Sequence, residues 1–250
     1  MIKIENTEVF GWEASIRGMR NPMNSWDKCD SEFNVQCNIC NNPDYNCGDC
    51  PVHLMQDKCL IGKNDLELMC KLSMAGSDHG KFLRMINVTM DITAPLYWWK
   101  EYDTYKVGTV ANSCSTMHKI TDKEFDVNDF SHEHIEELDD DEYNMSYDWL
   151  LRTVDILNYY RKKYNTASEK LKRDITDAER KHVLAQQKLF WWQLIQLLPC
   201  SYNQKRTVQI NYQVCKNMYF ARKTHKLDEW CDFCQHISNL PYFKQICIPV

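Results

Sequence analysis

The apolar residues of this 250-residue chain follow strand patterns in its first half and helical patterns through most of its second half. Loose alternation of apolar and polar residues predicts strands over residues 2–10 and 83–93. The longest helical patterns come later, and we predict helices there over about 146–165, 174–198, 203–221 and 226–238. Strand patterns followed by a run of helices predict an α+β fold with its helices concentrated in the C-terminal half.

One shorter helix carries clear boundary signals. Asn64 is in the position of an N-cap, with Glu67 three residues later, and Gly76 is a typical stop signal. These residues predict a helix over about 64–75. Because no repeat or flexible linker divides the chain, we predict a single domain over residues 1–250.

The cysteines are unusual in number and in placement. Thirteen is an odd number, so complete pairing within one chain is impossible. Seven of the thirteen fall between Cys29 and Cys70, in a Cys-rich insertion at about 29–62 that we predict to lack regular structure. Two pairs at its centre have the Cys-x-x-Cys spacing that can hold one structural zinc: Cys37, Cys40, Cys47 and Cys50. Cys29, His53 and Cys59 could substitute, and free thiols are the alternative to zinc.

Charge and hydropathy exclude several classes of protein. A formal net charge of −5 argues against a nucleic-acid polymer as partner, because phosphate binding favours a basic excess. The longest apolar run, residues 189–198, is about half the length of a membrane span, so we expect no membrane association. The N-terminal residues lack the apolar core of a signal peptide, which predicts a cytoplasmic protein with reduced thiols.

Three polar clusters could carry chemistry, although each could also be a capping residue or a solvated surface. The first is the turn Gly76–Arg84, which contains His79. The second is the run 97–119, whose hydroxyl- and amide-rich loop follows Lys100 and Lys106 and could hold an anionic ligand. The third is a C-terminal series with the spacing N-x5-N-x4-R-x2-H-x3-E: Asn211, Asn217, Arg222, His225 and Glu229.

Taken in order, and with the Leu-Leu-Pro segment at 197–199, these clusters resemble the flavin-dependent thymidylate synthase family. The similarity covers most of residues 64–120 and 195–240. It implies an α+β fold with a small antiparallel sheet and a helix-rich C-terminal half. It also implies FAD as cofactor, a homotetramer, and transfer of a methylene group from methylenetetrahydrofolate to dUMP, with NADPH as reductant. No protein nucleophile is required in such a reaction, because the flavin carries the redox chemistry.

The resemblance also implies roles for individual residues. Seven residues match or line the flavin site: His79, Lys106, Thr109, Asn112, Asn211, Asn217 and His225. Arg222 matches an arginine that binds the nucleotide, and four further residues are assigned to the substrate with it: Glu101, Cys114, Ser115 and Thr116. We assign no catalytic acid or base, since nothing in the sequence selects one.

The family's signature motif, RHR-x2-S-x-NE-x-S-x-R, is rewritten here. Lys106 for arginine and Thr109 for serine are the close replacements, and Lys106 lacks the two-pronged guanidinium group. Thr116 and Ile195 stand where the family has nucleotide-binding arginines. We therefore hold three hypotheses: a divergent enzyme modifying dUMP or a related pyrimidine nucleotide, a non-catalytic descendant that binds a nucleotide or a protein, and a zinc-stabilised interaction module.

Overall fold

The computed structural model of the chain describes residues 1–35, 55–136 and 145–248. Its strands and helices, in chain order, are β1 (Lys3–Phe10), α1 (Trp12–Arg20), α2 (Lys63–Met74), β2 (Asn87–Pro95), α3 (Leu96–Tyr102), β3 (Val110–Ser113), α4 (Thr116–Lys119), α5 (Glu133–Glu136), α6 (Met145–Leu171), α7 (Asp177–Leu197), β4 (Asn203–Asn211), α8 (Tyr212–Arg222), α9 (Asp228–Ser238) and α10 (Phe243–Cys247). None of the helices in the described ranges is both long and apolar enough to cross a membrane.

The four strands form one small antiparallel sheet in the order β1-β2-β4-β3. Strand β2 lies inside the sheet, and alternate residues along it are buried: Val88, Met90, Ile92 and Ala94. This period of two is what a sheet with one face on a core requires. The predicted α+β fold with its small antiparallel sheet is therefore confirmed.

The predicted helix over 203–221 is wrong in its first half, where the chain forms β4. Gln204, Val208 and Ile210 are buried at even-numbered positions, which is the period of a strand. The predicted loop over 107–119 is also partly wrong, since it contains β3 and α4. All four residues of β3 are exposed at the edge of the sheet, so no apolar alternation marked this strand in the sequence.

Helix α2 occurs where it was predicted, but its N-terminal cap is not Asn64. The helix begins one residue earlier, after Gly62, and no side chain of its own caps it. The carboxylate of Asp30 accepts hydrogen bonds instead from the backbone N–H groups of Asn64 and Asp65, at 2.9 and 3.0 Å. A residue more than thirty positions away thus satisfies the free N–H groups of this helix.

The chain divides into two compact units. The first consists of Met1, Thr93–Trp99 and Ser113–Lys205, and contains the long helices α6 and α7. Its hydrophobic core is made of six buried side chains: Ile120, Phe125, Phe130, Leu150, Leu157 and Leu194.

The second unit consists of Ile2–Ile92, Lys100–Asn112 and Arg206–Val250. Aromatic edge-to-face packing is prominent in its core, where the ring of Tyr212 lies 5.4 Å from the rings of both Trp12 and Phe243. The hydroxyl of Tyr212 donates to the carbonyl oxygen of Pro241 at 2.7 Å, so the buried polar atom of this ring is satisfied.

The described parts of the Cys-rich insertion are joined at its base. Glu32 and Leu60 form an antiparallel bridge in which each backbone N–H donates to the other residue's carbonyl oxygen at 2.9 Å. Farther into the insertion, the N–H of Val35 donates to the carbonyl oxygen of Lys58 at 3.0 Å. Apart from such bridges, the described residues between 29 and 62 contain no helix or strand.

Candidate functional site

Arg222, the last residue of α8, is the centre of a polar cluster in the second unit. Its Nη1 atom lies 2.5 Å from Oε2 of Glu101 on α3, and its Nε–H donates to the hydroxyl of Tyr105 at 3.1 Å. Arg222 and Glu101 were both predicted to bind the substrate, and the fold brings these two residues together across 121 positions of sequence. What we call the Arg222 cluster consists of five residues: Arg222, Glu101, Tyr105, His225 and Trp230.

The aromatic members of the Arg222 cluster hold the ion pair in a fixed geometry. The indole N–H of Trp230 donates to Oε2 of Glu101 at 3.1 Å, and its ring lies 4.9 Å from the guanidinium carbon of Arg222. The ring of Tyr105 lies 5.8 Å from that carbon. These contacts are cation–π interactions, and they orient the guanidinium group from its faces while Glu101 binds its edge. The sequence analysis missed Tyr105 and Trp230, since aromatic residues most often belong to a core.

His225 is held in one tautomer. The backbone N–H of Leu227 donates to Nδ1 of His225 at 3.1 Å, so Nδ1 is the unprotonated nitrogen of the neutral ring. The proton then resides on Nε2, which lies 3.4 Å from Oε2 of Glu101. The Nη1 atom of Arg222 is 3.0 Å from Nε2, but with hydrogen on both nitrogens this approach is a contact between two donors. His225 therefore acts as a donor in this cluster.

The Arg222 cluster retains capacity for an anion. The side chain of Arg222 is 20% exposed, and its Nη2 atom has no hydrogen-bond partner among the described residues. Lys106, also predicted at the cofactor site, lies exposed in the turn after α3, one residue beyond Tyr105. Glu101 neutralises much of the charge of Arg222, so any anion bound there competes with this carboxylate.

Asn211 lies at the N-terminus of α8, where its side-chain oxygen accepts a hydrogen bond from the N–H of Val214 at 3.1 Å. The amide nitrogen of the same side chain faces Gly108, whose φ is +76°. A Cβ atom at position 108 would lie 2.7 Å from that nitrogen, so this close approach requires glycine. Next to it, the hydroxyl of Thr109 donates to the carbonyl oxygen of Tyr105 and closes the turn.

The remaining residues predicted at the cofactor site are exposed. Asn217 lies on the surface of α8, where its side-chain oxygen accepts from the amide of Gln213 at 3.0 Å. His79 lies in the turn after α2, and its backbone N–H donates to the carbonyl oxygen of Gly76. Asn112 lies in the exposed edge strand β3.

The predicted substrate residues Cys114, Ser115 and Thr116 belong to the first unit. Cys114 is exposed, and its backbone pairs with β4 through a hydrogen bond from its N–H to the carbonyl oxygen of Lys205 at 2.9 Å. Ser115 caps the short helix α4, and Thr116 is the first residue of that helix. The capping hydroxyl of Ser115 accepts from the N–H of His118 at 3.1 Å.

The sequence analysis missed a buried ion pair in the second unit. Arg20 and Asp65 are 4% and 0% exposed, and two nitrogens of Arg20 bind one carboxylate oxygen of Asp65 at 2.6 and 2.7 Å. The other oxygen accepts from the hydroxyl and N–H of Ser31 at 2.6 and 3.0 Å, from the N–H of Asp30 and from the thiol of Cys29. A cavity of about 450 Å³ lies beside this pair, lined by Arg17, Arg20, Trp26 and Cys29 among others.

The predicted zinc ligands Cys37, Cys40, Cys47 and Cys50 lie outside the described residues, as does His53. Within residues 1–35, 55–136 and 145–248, no group of three or more His, Cys, Asp or Glu side chains is placed to hold a metal ion. Of the two substitutes that are described, Cys29 donates its thiol to Asp65. Cys59 is fully buried, and this burial raises the pKa of its thiol to about 12.

Two solved structures are similar to the chain over nearly its whole length. Thymidylate Synthase X (ThyX) from Helicobacter pylori, crystallised with FAD and dUMP, aligns with a TM-score of 0.58 and 13% identity, covering 99% of this chain and 97% of that one. A second structure of flavin-dependent thymidylate synthase ThyX from Helicobacter pylori, complexed with FAD and dUMP, gives 0.57 and 14%, with 98% and 97% covered. No protein-family model and no curated protein matches the sequence. The chain therefore has the fold of flavin-dependent thymidylate synthases.

Proposed function

We propose that this chain is an FAD-dependent enzyme that methylates dUMP to dTMP, with methylenetetrahydrofolate as carbon donor and NADPH as reductant. The observation that carries the proposal is the likeness, over 99% of this chain, to a thymidylate synthase crystallised with FAD and dUMP. Because sequence identity is 13%, the likeness supports the fold, and the activity rests on what the chain's own residues can bind.

A nucleotide phosphate fits the donors of the Arg222 cluster. The Nη2 group of Arg222 has no partner within the described chain, and the ammonium group of Lys106 lies exposed one residue beyond Tyr105. Charge-assisted hydrogen bonds of this kind contribute about 1.5–3 kcal/mol each. In this proposal Arg222 binds the phosphate, Glu101 and Trp230 keep its guanidinium group in place, and Lys106 adds a second positive charge.

The residues assigned to the cofactor fit a ligand rich in hydrogen-bond acceptors. Asn211 uses its side-chain oxygen to cap α8, which leaves the amide NH₂ group as the donor. His225 uses Nδ1 to accept from Leu227, which leaves Nε2–H as the donor. Bound FAD supplies the redox chemistry, so the protein needs no side-chain nucleophile. In this proposal the chain's residues bind and orient both ligands.

The visible absorption spectrum of freshly purified protein, with the released cofactor identified, tests the proposal first. We expect a flavin spectrum, or uptake of FAD on reconstitution. Single-turnover conversion of dUMP to dTMP then tests the activity, and we expect Arg222→Ala to abolish it. Arg180→Ala is a matched control, because Arg180 is exposed on α7 in the other unit. A colourless protein that takes up no FAD would reject the proposal.

A non-catalytic descendant that binds a nucleotide is the second candidate. Two observations favour it: Glu101 already neutralises Arg222, and the signature motif is rewritten around Lys106 and Thr109. This candidate predicts that dUMP binds, as measured by calorimetry, without any dTMP being formed. Turnover by the wild-type chain would exclude it.

Two further proposals rest on the family resemblance and on the cysteine spacing. We propose that the protein is a cytoplasmic homotetramer. Light scattering of the purified chain tests the tetramer, and cell fractionation tests the location. We also propose a structural zinc held by Cys37, Cys40, Cys47 and Cys50. Metal analysis tests it, and a zinc content near zero in protein purified without chelator would reject it.

A further inference from the structure

Positive charge is concentrated where helices α6 and α7 meet. Residues 161–188 contain nine Lys and Arg side chains against four Asp and Glu, a formal charge of +5 in a chain whose total is −5. They comprise the second half of α6, the connecting turn and the first half of α7, all within the first unit. We call this region the basic hairpin. The net charge of the whole chain therefore conceals a basic region within it.

The basic hairpin contains a cavity of about 470 Å³ along one face of α6. Five of its lining residues lie on α6 at the intervals of three and four that one helix face requires, and Arg173 follows in the turn after the helix. Every one of them is polar: Lys162, Asn165, Thr166, Glu169, Lys170 and Arg173. The hydroxyl of Thr166 already donates to the carbonyl oxygen of Lys162 at 2.8 Å, and the amide of Asn165 donates to that of Thr121 at 3.1 Å. The second N–H of Asn165 remains as a donor beside the cations. Such a surface suits an anionic ligand with many oxygen atoms.

The charges in this cavity are only partly compensated. Glu169 is paired with Lys172 at 2.6 Å, and Lys162 lies 3.5 Å from Glu124. Lys170 and Arg173 form no ion pair with any residue in the described part of the chain. Lys170 and Arg173 thus line the cavity without an ion pair among the described residues, and the carboxylate of Glu169 that lines it with them is paired with Lys172.

We propose that the basic hairpin binds the sugar–phosphate backbone of a nucleic acid. An anionic membrane surface is less suitable, since basic segments that dock on membranes also insert apolar side chains, and the cavity face of α6 has none. An acidic protein partner is less suitable because lysine is depleted in protein–protein interfaces. Phosphate contacts from Lys, Arg, Asn and Thr are the ordinary means of binding a nucleic-acid backbone.

The dimensions agree with a short backbone segment. Lys162 and Lys170 are eight residues apart on α6, which is about 12 Å along the helix. At about 3.4 Å per nucleotide this length spans roughly four phosphates of one strand. Because the contacts go to the backbone, the binding is independent of base sequence. The expectation that no nucleic-acid polymer is bound came from the net charge of the whole chain, and the basic hairpin has the opposite sign.

Fluorescence anisotropy with a labelled DNA duplex of about 20 base pairs, and in parallel a single-stranded RNA of similar length, tests the proposal. We expect the affinity for at least one of them to fall between about 50 and 200 mM salt, with a log–log slope of about −3 to −5. The double variant Lys170→Glu/Arg173→Glu should weaken this binding by about tenfold or more. The double variant Lys28→Glu/Lys71→Glu makes the same change in net charge at exposed sites in the other unit, and should weaken it less than about twofold.

Several results would overturn the proposal. One is the absence of salt-dependent binding to both probes, and another is an equal loss of affinity in the two double variants. Binding to vesicles of phosphatidylcholine and phosphatidylserine, with none to the nucleic-acid probes, would assign the basic hairpin to a membrane surface instead. Since the FAD and dUMP measurements do not involve this region, failure here and failure of the proposed enzyme activity are separate outcomes.

Discussion

At Arg20 and Asp65, two opposite charges are almost completely removed from water. Burial acts to raise the pKa of Asp65, but hydrogen bonds from Ser31, Arg20 and Cys29 outweigh it, so this pKa is lowered from its ordinary value. No sequence pattern identifies the pair, because it joins an arginine on α1 to an aspartate in the first turn of α2. In contrast, Arg222 and Glu101 were predicted at one site by the resemblance to flavin-dependent thymidylate synthases.

Asp65→Asn should destabilise the folded chain by about 3–5 kcal/mol, because it leaves the buried guanidinium group of Arg20 without a counter-charge. Urea unfolding measures this change. Glu13→Gln is the matched control: Glu13 pairs with Arg17 at 3.5 Å while both side chains are more than half exposed, so we expect less than about 1 kcal/mol. Similar losses in the two variants would contradict a special role for the buried pair.

The same pair predicts a pH dependence. Since the folded-state pKa of Asp65 is lowered, its stabilisation is complete above its pKa in the unfolded chain, about 4, and is lost as pH falls through the lower folded-state value. The stability difference between wild type and Asp65→Asn should therefore shrink below about pH 4. Urea midpoints measured from pH 7 downward test this, and a difference that stays constant to pH 2 would contradict it.

Glu101→Gln tests whether Glu101 competes with a bound anion at Arg222. Glutamine retains an oxygen that can accept from Trp230 and Arg222, while the negative charge is removed. If the proposed function holds, we expect dUMP to bind about fivefold more tightly, which corresponds to about 1 kcal/mol. Calorimetry measures the affinity, with Glu101→Ala as a comparison. Alanine removes both the negative charge and the oxygen that orients Arg222, whereas glutamine removes the charge alone. Weaker binding by Glu101→Gln would instead mean that Glu101 contacts the ligand itself, as the sequence analysis predicted.

Among the elements, helix α2 was predicted in the right place but with the wrong N-terminal cap. Asn64, Glu67 and Gly76 predicted its position, but the residue that satisfies its first N–H groups comes from a distant loop. Strand β4, in contrast, was predicted as the wrong type of element, a helix. Its nine residues are too short and too polar for their alternation to outweigh the helical pattern of α8 that follows directly. Pairing with β2 and β3 in the sheet decides the outcome, and that pairing is not visible in the sequence.

Replacing each capping candidate by alanine in turn tests this interpretation of α2. Asp30→Ala should cost about 0.5–2 kcal/mol in unfolding free energy, because the N–H groups of Asn64 and Asp65 lose their acceptor. Asn64→Ala should cost much less, since its side chain makes no capping hydrogen bond. Chemical denaturation of both variants measures the difference. The reverse order of effects would restore Asn64 as the cap.

At the scale of the whole molecule, seven of the nine described cysteines are either buried or exposed, and Cys70 and Cys231 are intermediate. Cys29, Cys114 and Cys200 are exposed, whereas Cys59, Cys215, Cys234 and Cys247 are buried. Burial raises the pKa of Cys59, Cys234 and Cys247 to about 12, and it also raises that of Cys215. A buried thiol with a raised pKa has neither the thiolate nor the access that alkylation needs.

Alkylation followed by mass spectrometry should therefore modify Cys114 and Cys200 in the native protein at pH 8, whereas the four buried cysteines should react only after denaturation. Carrying out the labelling with and without a zinc chelator tests the proposed metal site at the same time. We expect Cys37, Cys40, Cys47 and Cys50 to gain reactivity when the chelator is present. Rapid labelling of Cys215 or Cys247 in native protein would contradict the arrangement of the core.

The bridged base of the Cys-rich insertion has a consequence for how this chain can vary. Hydrogen bonds between Val35 and Lys58, and between Glu32 and Leu60, hold the two ends of the segment beside each other. Since the ends already meet, the entropy of closing whatever lies between them depends only weakly on its length. We therefore expect that adding a few glycine and serine residues between positions 50 and 55 leaves the unfolding free energy nearly unchanged.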